Sequence, residues 1–293
     1  MSFSENLLQL KKQAMAQAGP MFAHIDSIAE ANTLKVLDAM RECQVSEAHF
    51  NTTSGYAYDD IGRSKIEELF AKVFGAERAL VRTNFVSGTH ALATVLFGIL
   101  RPGDKLVSIT GAPYDTMQTV IGYANESPGS LKEFGVLYDE LEMIDGKVDM
   151  AGIAGKITPD TKMVLIQRSR GYSMRNPLTI EEIGAICQEV KKVKPDCICF
   201  VDNCYGEFVD TQEPVQAGAD IMAGSLIKNP GGGVALTGGY IAGKSDLVEL
   251  CSYRLTAPGM GDELGASLAH NRMIFQGFFL SPYLVVLPFM GAV

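Results

Sequence analysis

The chain has 293 residues, of which 47% are hydrophobic and 20% charged, and its formal net charge is -9 at pH 7. This composition is that of a globular protein with a sizeable core, and it excludes an intrinsically disordered chain. The negative charge argues against a nucleic-acid partner, whose phosphates are bound by Lys and Arg rather than by Asp and Glu.

Three features bear on where the protein works. The six cysteines show no Cys-x-x-Cys spacing and no histidine cluster beside them, which predicts free thiols in a reducing compartment and no disulfide framework or zinc site. The N-terminus lacks a basic segment followed by an apolar run, so we expect no secretory signal and a cytoplasmic location. Residues 274–293 carry no charge and could span a bilayer by length, but Pro282 and Pro288 favour a buried or interface helix.

The predicted elements alternate between helices and apolar strands. Two helices are predicted over residues 3–18 and 24–43, then a polar loop over 44–63, and Ser64 with Glu67 predicts a capped helix start. Further helices are predicted over 88–100, after Pro113 and over 179–193, and strands over 79–82, 105–109, 163–166, 197–201, 219–223 and 234–242. This alternation predicts an α/β fold with a mostly parallel sheet covered on both faces, and ligands bound beyond the carboxyl ends of the strands.

Two polar residues at strand ends form the most informative pattern. Asp202 ends the apolar strand 197–201, and Lys228 lies in a glycine-rich run with no charged residue within seven positions. Such surroundings predict that desolvation lowers the pKa of the lysine. A pyridoxal phosphate enzyme uses such a pair, because the lysine forms a Schiff base and the carboxylate keeps the pyridinium nitrogen protonated. The alternatives are a solvated loop lysine and an aspartate in an Asx turn or N-cap.

Other segments at strand ends suit the same cofactor. Ser87, Gly88 and Thr89 open a helix whose N–H groups can bind a phosphate, and Ser225 can place its hydroxyl there, although Ser87 is equally explained as an N-cap. Tyr114 can stack on a planar ring or be a half-buried turn residue. The segment 167–177 offers arginines for a carboxylate or phosphate, or forms a basic surface loop, and its arginines are Arg168, Arg170 and Arg175.

A competing motif lies downstream. Residues 238–245, Gly-Gly-Tyr-Ile-Ala-Gly-Lys-Ser, match the P-loop pattern. However, 240–242 has the character of a strand, and the segment 197–202 that resembles a Walker B strand precedes the pattern instead of following it. We therefore favour a strand end followed by a helix start, and keep a P-loop nucleotide-binding protein as an alternative.

The order of these motifs resembles the fold-type-I pyridoxal phosphate enzymes of cysteine and methionine metabolism. Within them, the segments 55–63, 86–91, 167–172 and 227–233 are similar to the methionine gamma-lyase-like or aluminium resistance branch, which includes proteins assigned as cystathionine beta-lyases. The resemblance covers about residues 20 to 280. It implies a three-layer αβα transferase fold and a carbon–sulfur lyase that acts on a cystathionine, cysteine or methionine type of substrate. The implied route is Schiff base formation, Cα deprotonation and β- or γ-elimination, and the alternative is a pyridoxal phosphate-binding protein or fragment without turnover.

The resemblance also implies individual roles. Lys228 becomes the Schiff-base lysine and proton shuttle, Asp202 pairs with the pyridine nitrogen, and Tyr114 stacks on the ring. The phosphate is implied to be held by Ser87, Gly88, Thr89 and Ser225. Tyr58 matches a catalytic tyrosine that reaches across a dimer interface, and Asn176 matches an asparagine near the phenolic oxygen of the cofactor.

The chain departs from the family pattern in two places. Where relatives carry a phosphate-binding arginine this chain has Asp60, so Arg63 is expected to replace it, and Arg170 and Arg175 are expected to bind the substrate. The relatives continue into a small C-terminal domain that we expect to be truncated here. The expected division is a helical arm over 1–55, the large cofactor-binding domain over 56–265, and over 266–293 the start of an interdomain helix. The expected partners are an amino-acid substrate and further copies of the chain in a homodimer or homotetramer, with no nucleic acid and no membrane.

Overall fold

The fold alternates helices and strands along the chain, in a computed structural model that describes residues 4–52, 58, 60–124 and 127–292, with side chains up to 285. The helices are α1 Glu5–Glu42, α2 Ile61–Phe74, α3 Gly88–Ile99, α4 Asp115–Ile121, α5 Ile153–Lys156, α6 Ile180–Val193, α7 Ser245–Leu255 and α8 Asn271–Ala292. The strands are β1 Arg78–Arg82, β2 Lys105–Ser108, β3 Leu137–Glu140, β4 Thr161–Gln167, β5 Ile198–Asp202, β6 Ile221–Ser225 and β7 Gly239–Gly243. Short 3₁₀ turns cover Glu47–Phe50 and Asn229–Gly231.

These strands form one sheet in the order β1-β7-β6-β5-β4-β2-β3. Pairing is parallel from β6 through β5, β4 and β2 to β3, whereas β7 runs antiparallel to both β1 and β6. The sheet is therefore mostly parallel, as the sequence predicts. Because β4, β5 and β6 run in the same direction, their carboxyl ends meet at one edge, where ligands bind in such sheets.

The core lies on both faces of the sheet. Successive residues of β4 alternate between two apolar clusters, with Met163 and Leu165 on one face and Val164 and Ile166 on the other. Helices α1, α2, α6 and α8 contribute to the second face, and α3, α4 and α7 to the first. Both faces are covered, which explains why the strands have continuous apolar sequences. The predicted three-layer αβα architecture is confirmed.

The N-terminal helices predicted over 3–18 and 24–43 are wrong as separate elements, since α1 is continuous from Glu5 to Glu42 with Pro20 inside it. A proline removes one helical hydrogen bond and usually ends or kinks a helix. Pro20 and Ala16, four residues earlier, are both exposed, so water can bond to the carbonyl of Ala16. The helix continues at the cost of one bond.

The start of α2 also differs from the prediction. Asp60, not Ser64, is the N-cap, and its carboxylate accepts a hydrogen bond from the N–H of Arg63 at 2.9 Å. The same carboxylate accepts from Ser267 N and Asn271 Nδ2, both at 3.1 Å. An aspartate at this position therefore ties the start of α2 to the segment before α8, which a phosphate-binding arginine would not do.

Three further regions bear on the sequence predictions. Strand β3 was not predicted, because its residues are half-buried or exposed at the edge of the sheet. Residues Tyr240 to Ala242 of the P-loop pattern lie within β7, and Lys244 forms an ion pair with Asp220 at 2.6 Å.

Helix α8 packs Phe275 and Phe278 into the core. Within the described part of the chain, no helix is both long and apolar enough to cross a membrane. The domain boundaries at 55 and 265 stay a prediction.

Candidate active site

Three segments converge at the carboxyl edge of the sheet. Strand β5 ends at Asp202 and β6 ends at Ser225, and the two strands are paired. The start of α3 lies against the end of β6, because a Cβ added to Gly88 would lie 3.0 Å from the Cβ of Ser225. Sequence segments far apart in the chain thereby meet around one site.

Asp202 is buried, with 4% of its surface exposed. Its Oδ1 accepts a hydrogen bond from the N–H of Cys204 at 3.1 Å. Burial raises the pKa of Asp202, while the Cys204 hydrogen bonds and the charge of Lys228 act in the opposite direction. A positively charged group placed against this carboxylate would stabilise its ionised form.

Lys228 is half-buried, and its ammonium lies 4.0 Å from the centre of the Tyr205 ring. Burial by itself lowers the pKa of Lys228, but Cys204, Tyr205 and Asp202 raise it, and the net shift is upward. The predicted lowering of the lysine pKa is therefore wrong. The sequence shows the apolar neighbours of Lys228, but not the anionic and aromatic groups that β5 brings to it.

The start of α3 forms a cradle for an anion. Ser87 caps the helix, since its hydroxyl accepts from His90 N at 3.1 Å, and Gly88 and Thr89 supply the first N–H groups. Ser225 Oγ is buried and has no hydrogen-bond partner among the described residues. A buried hydroxyl without a partner costs free energy, and a phosphate oxygen would satisfy it. Gly88 leaves space that a side chain would fill. These features fit the phosphate of the predicted cofactor.

Tyr114 links this cradle to Asp202. Its hydroxyl lies 3.2 Å from Thr89 Oγ1, and its N–H donates to Gln167 Oε1 at 3.1 Å. Burial and the nearby charge of Asp202 raise the pKa of the phenol. The tyrosine is thus neutral at physiological pH and held beside both the α3 cradle and the end of β5.

The three arginines after β4 have different surroundings. Arg168 is buried and donates to Asn203 Oδ1 and Gly206 O, at 2.9 and 2.8 Å. Arg175 donates to the carbonyls of residues 167, 169 and 176, an arrangement that favours a structural role. Arg170 is exposed and, with Tyr114, lines a cleft of about 610 Å³. Of the three, Arg170 is placed best to meet a substrate.

Three further predicted site residues have surroundings of their own. The guanidinium of Arg63 donates to Gly265 O and Glu263 O, at 2.7 and 2.9 Å, on the side of the chain where α2 meets the segment before α8. Asn176 is exposed and lines a neighbouring cleft with Glu182. Tyr58 is 59% exposed, while residues 53–57 and 59 of its motif lie outside the described residues. The roles of all three stay predictions.

Three residues shortly after Asp202 also contribute to the site and were not predicted. Cys204 is buried, its N–H donates to Asp202 Oδ1, and its side chain is among the groups that raise the pKa of Lys228. Tyr205 contacts Lys228 through its ring and has a φ of 69°, which is uncommon for a residue other than glycine. Glu207 is fully buried and accepts from the Tyr240 hydroxyl at 2.8 Å. The adjacency of these residues to Asp202 was visible in the sequence, but their contacts with Lys228 and β7 depend on the fold.

Comparison with known proteins places this arrangement in a family. The family model described as methionine gamma-lyase matches residues 7–293. The uncharacterized protein YnbB of Bacillus subtilis is 50% identical over 97% of this chain and 69% of its own length. A solved structure from Listeria monocytogenes, described as a "putative cystathionine beta-lyase involved in aluminum resistance", is 52% identical with a TM-score of 0.96, over 97% of this chain and 71% of that one. The L-methionine gamma-lyase of Pseudomonas deceptionensis is 25% identical, and this chain spans 49% of its length.

Proposed function

The chain belongs to the methionine gamma-lyase family, and from that premise we propose that it is a pyridoxal phosphate-dependent carbon–sulfur lyase acting on a sulfur amino acid. The observation that carries the proposal is the meeting of Lys228, Asp202 and the buried, unsatisfied Ser225 hydroxyl at one edge of the sheet. An amine, a buried carboxylate and an anion cradle are the three groups that this cofactor requires.

The residues of the cradle would hold the phosphate. Gly88 and Thr89 offer backbone N–H groups, and Ser225 offers its hydroxyl. Asp202 would accept a hydrogen bond from the protonated pyridine nitrogen, and Tyr114 would lie along the ring. When bound, pyridoxal phosphate supplies an aldehyde that can link to an amino group and a ring that withdraws electrons from the substrate Cα.

Within this chain, Lys228 is the group that moves a proton. Its Nζ, once neutral, can take the proton from the substrate Cα and later deliver it to another atom of the product. The Tyr205 ring beside Nζ restricts the side chain and favours its charged form. Asp202 is buried, so once ionised beside a protonated ring nitrogen it would stabilise positive charge at the base of the site, where little water competes.

The cleft beside Tyr114 is the proposed binding site for the amino acid. It is lined by Arg170, whose planar guanidinium suits a carboxylate. Arg175 also lines this cleft, but its donors are taken by main-chain carbonyls, so we assign it to holding the loop. We further propose a homo-oligomer, because Tyr58 is exposed and thus accessible to a neighbouring subunit.

A second candidate is a pyridoxal phosphate-binding protein without turnover. It is favoured by the engagement of Arg175 with the main-chain carbonyls of residues 167, 169 and 176, which leaves this arginine holding a loop. Both candidates predict a bound cofactor. They differ in whether a substrate is held in a reactive position.

The test is an assay of 2-keto acid and thiol release from cystathionine, cysteine and methionine, with purified protein and added pyridoxal phosphate. The proposal expects product from at least one of these substrates, and none from Lys228→Ala. A bound cofactor with no product from any of them would favour the second candidate. Arg170→Ala is expected to raise KM for the active substrate more than it lowers kcat, since Arg170 is proposed to bind the substrate rather than to react.

A further inference from the structure

Arg168 is a buried arginine for which the proposed function has no use. It follows β4 directly, and it does not line the cleft that Arg170 and Tyr114 share. A buried guanidinium is costly unless its donors are bonded. Those donors reach into the turn that follows β5, so the role of Arg168 lies with that turn.

One nitrogen of Arg168 bridges the two ends of the turn. Its Nη1 donates to Asn203 Oδ1 at 2.9 Å and to the carbonyl of Gly206 at 2.8 Å. The N–H of Gly206 in turn donates to the carbonyl of Asn203 at 2.7 Å. Only Cys204 and Tyr205 lie between the bridged ends, so Arg168 is bonded on either side of Tyr205.

The turn is also held from a second side, by Glu213. Its Oε2 accepts from Asn203 Nδ2 at 2.9 Å and lies 3.7 Å from Arg168 Nη1, and its Oε1 accepts from Phe208 N at 2.8 Å. Arg168, Asn203 and Glu213 are all buried, and together we call them the turn network. Hydrogen bonds from a charged donor are shorter and stronger than those between neutral groups, so this network constrains the turn firmly.

The backbone of the turn needs such a constraint. Tyr205 has a φ of 69° and Phe208 a φ of 62°, both in the left-handed region that few residues other than glycine occupy. Conformations of this kind persist only where surrounding contacts enforce them. A Cβ added to Gly206 would lie 2.5 Å from both Arg168 Cδ and Asn203 Oδ1. The glycine thus makes room for the guanidinium to reach the turn.

The turn places the Tyr205 ring against Lys228, whose Nζ lies 4.0 Å from the ring centre. Tyr205 is 60% exposed, so burial does not fix the ring and its position depends on the backbone. We propose that Arg168 is a positioning residue, which acts through the turn network to hold the Tyr205 ring over the Lys228 amine and so restricts where that amine stands. The inference rests on Lys228 being the reactive amine of the proposed function.

The experiment observes the contact between ring and amine in protein free of cofactor. Protons held over an aromatic face resonate upfield, so the εCH₂ resonance of Lys228 reports the contact in protein with ¹³C-labelled lysine. Lys228→Arg assigns the resonance, and Tyr205→Leu should abolish its upfield shift. Arg168→Lys keeps the positive charge but lacks the planar fork that bridges Asn203 and Gly206. It should reduce the shift by roughly half or more.

Arg82→Lys is the matched control. Arg82 is another buried arginine, and it donates to the carboxylate of Glu67 and to the carbonyl of Asp262. It lies on β1 and bonds to α2 and the segment before α8, so its replacement should leave the Lys228 resonance unchanged. Equal losses of the upfield shift in Arg168→Lys and Arg82→Lys would reflect a general loosening of the fold and would overturn the inference.

A second variant keeps the inference falsifiable if Arg168→Lys folds poorly. Gly206→Ala leaves Arg168 in the sequence but displaces it from the turn, because the new methyl group would meet Arg168 Cδ and Asn203 Oδ1. It should reduce the same upfield shift. Gly155→Ala, where a Cβ would meet nothing within 4 Å, should not. An unchanged Lys228 resonance in folded Arg168→Lys or folded Gly206→Ala would overturn the inference.

A double variant tests whether Arg168 acts through the ring. Once Tyr205→Leu has removed the ring, adding Arg168→Lys should not move the Lys228 resonance further, and a further change would contradict the proposed route. The readout uses no cofactor, so it is independent of whether the cofactor attaches to Lys228. An unchanged resonance together with a cofactor adduct on Lys228 contradicts the role of Arg168 alone.

Discussion

The ammonium of Lys228 lies 4.0 Å from the centre of the Tyr205 ring, and both residues stand just beyond strand ends. Tyr205 holds this position with a φ of 69°, in the left-handed region. A backbone conformation of this kind costs of the order of 1 kcal/mol or more for such a residue, and it persists only where the surrounding structure enforces it. The contact therefore follows from the turn after β5, which aims the aromatic ring at the lysine.

Replacing the Tyr205 ring should change the ionisation of Lys228. A cation over an aromatic face is stabilised by about 0.5–1 kcal/mol at a partly exposed site. Tyr205→Leu should lower the Lys228 pKa by about half a unit, whereas Tyr205→Phe, which keeps the ring, should leave it nearly unchanged. Trace acetylation of the cofactor-free protein measures both. An equal shift in the two variants would show that the hydroxyl, and not the ring, is responsible.

Asp202→Asn should leave the fold intact but greatly slow the reaction. The asparagine oxygen can still accept from Cys204 N, so the turn after β5 should be kept. The loss of negative charge in a buried site should lower kcat by about 100-fold or more. Circular dichroism checks the fold, and keto acid release measures the rate. Turnover equal to that of wild type would remove Asp202 from the proposed mechanism.

The stability of the protein should depend on pH through Glu207. Its pKa in the folded state is about 8, above the ordinary value of 4.5, so the folded chain binds this proton more tightly than the unfolded chain. The resulting stabilisation is complete below about pH 4.5 and is lost as pH rises through about 8. Relative to wild type, Glu207→Gln should gain roughly 2–4 kcal/mol in the free energy of unfolding between about pH 5 and 9. Urea unfolding at several pH values tests this, and parallel curves for the two proteins would contradict the assignment.

Gly224→Ala should destabilise the fold. The new methyl group would lie 2.5 Å from Glu207 Oε1 and 2.7 Å from Tyr240 Cε1, so β6 or β7 would have to shift. Overpacking of this kind costs about 1–3 kcal/mol. Gly155→Ala is the matched control, because a Cβ there would meet nothing within 4 Å. It should change the free energy of unfolding by less than about 1 kcal/mol, in the stabilising direction. Similar losses in the two variants would show that the Glu207–Tyr240 pair imposes no such constraint.

The strands could be predicted from the sequence where an apolar run coincides with burial on both faces of the sheet. Strands such as β4 and β5 are buried on both faces, so their apolar sequences identify them directly. Strand β3 lies at the edge of the sheet and lacks that pattern. The continuity of α1 through Pro20 depends on solvent exposure, which the sequence does not show.

The site residues that could be predicted from the sequence are those that lie at or just beyond the ends of strands. Asp202, Tyr114 and the Ser87–Thr89 segment each follow a strand, and parallel strands bring such residues to one edge. Residue type alone does not distinguish Arg170 from Arg175, since the difference lies in the main-chain carbonyls that surround Arg175. Glu207 was missed because its burial depends on Gly224 and Tyr240, which lie on two other strands.

The central claim is that Lys228 is the residue to which pyridoxal phosphate attaches. Purified protein is incubated with the cofactor, reduced with borohydride and digested, and the labelled peptide is identified by mass spectrometry. The account predicts a single pyridoxyl label on Lys228, and its absence in Lys228→Ala, with Lys244→Ala labelled as in wild type. A label on a different lysine, or a label retained in Lys228→Ala, would contradict it.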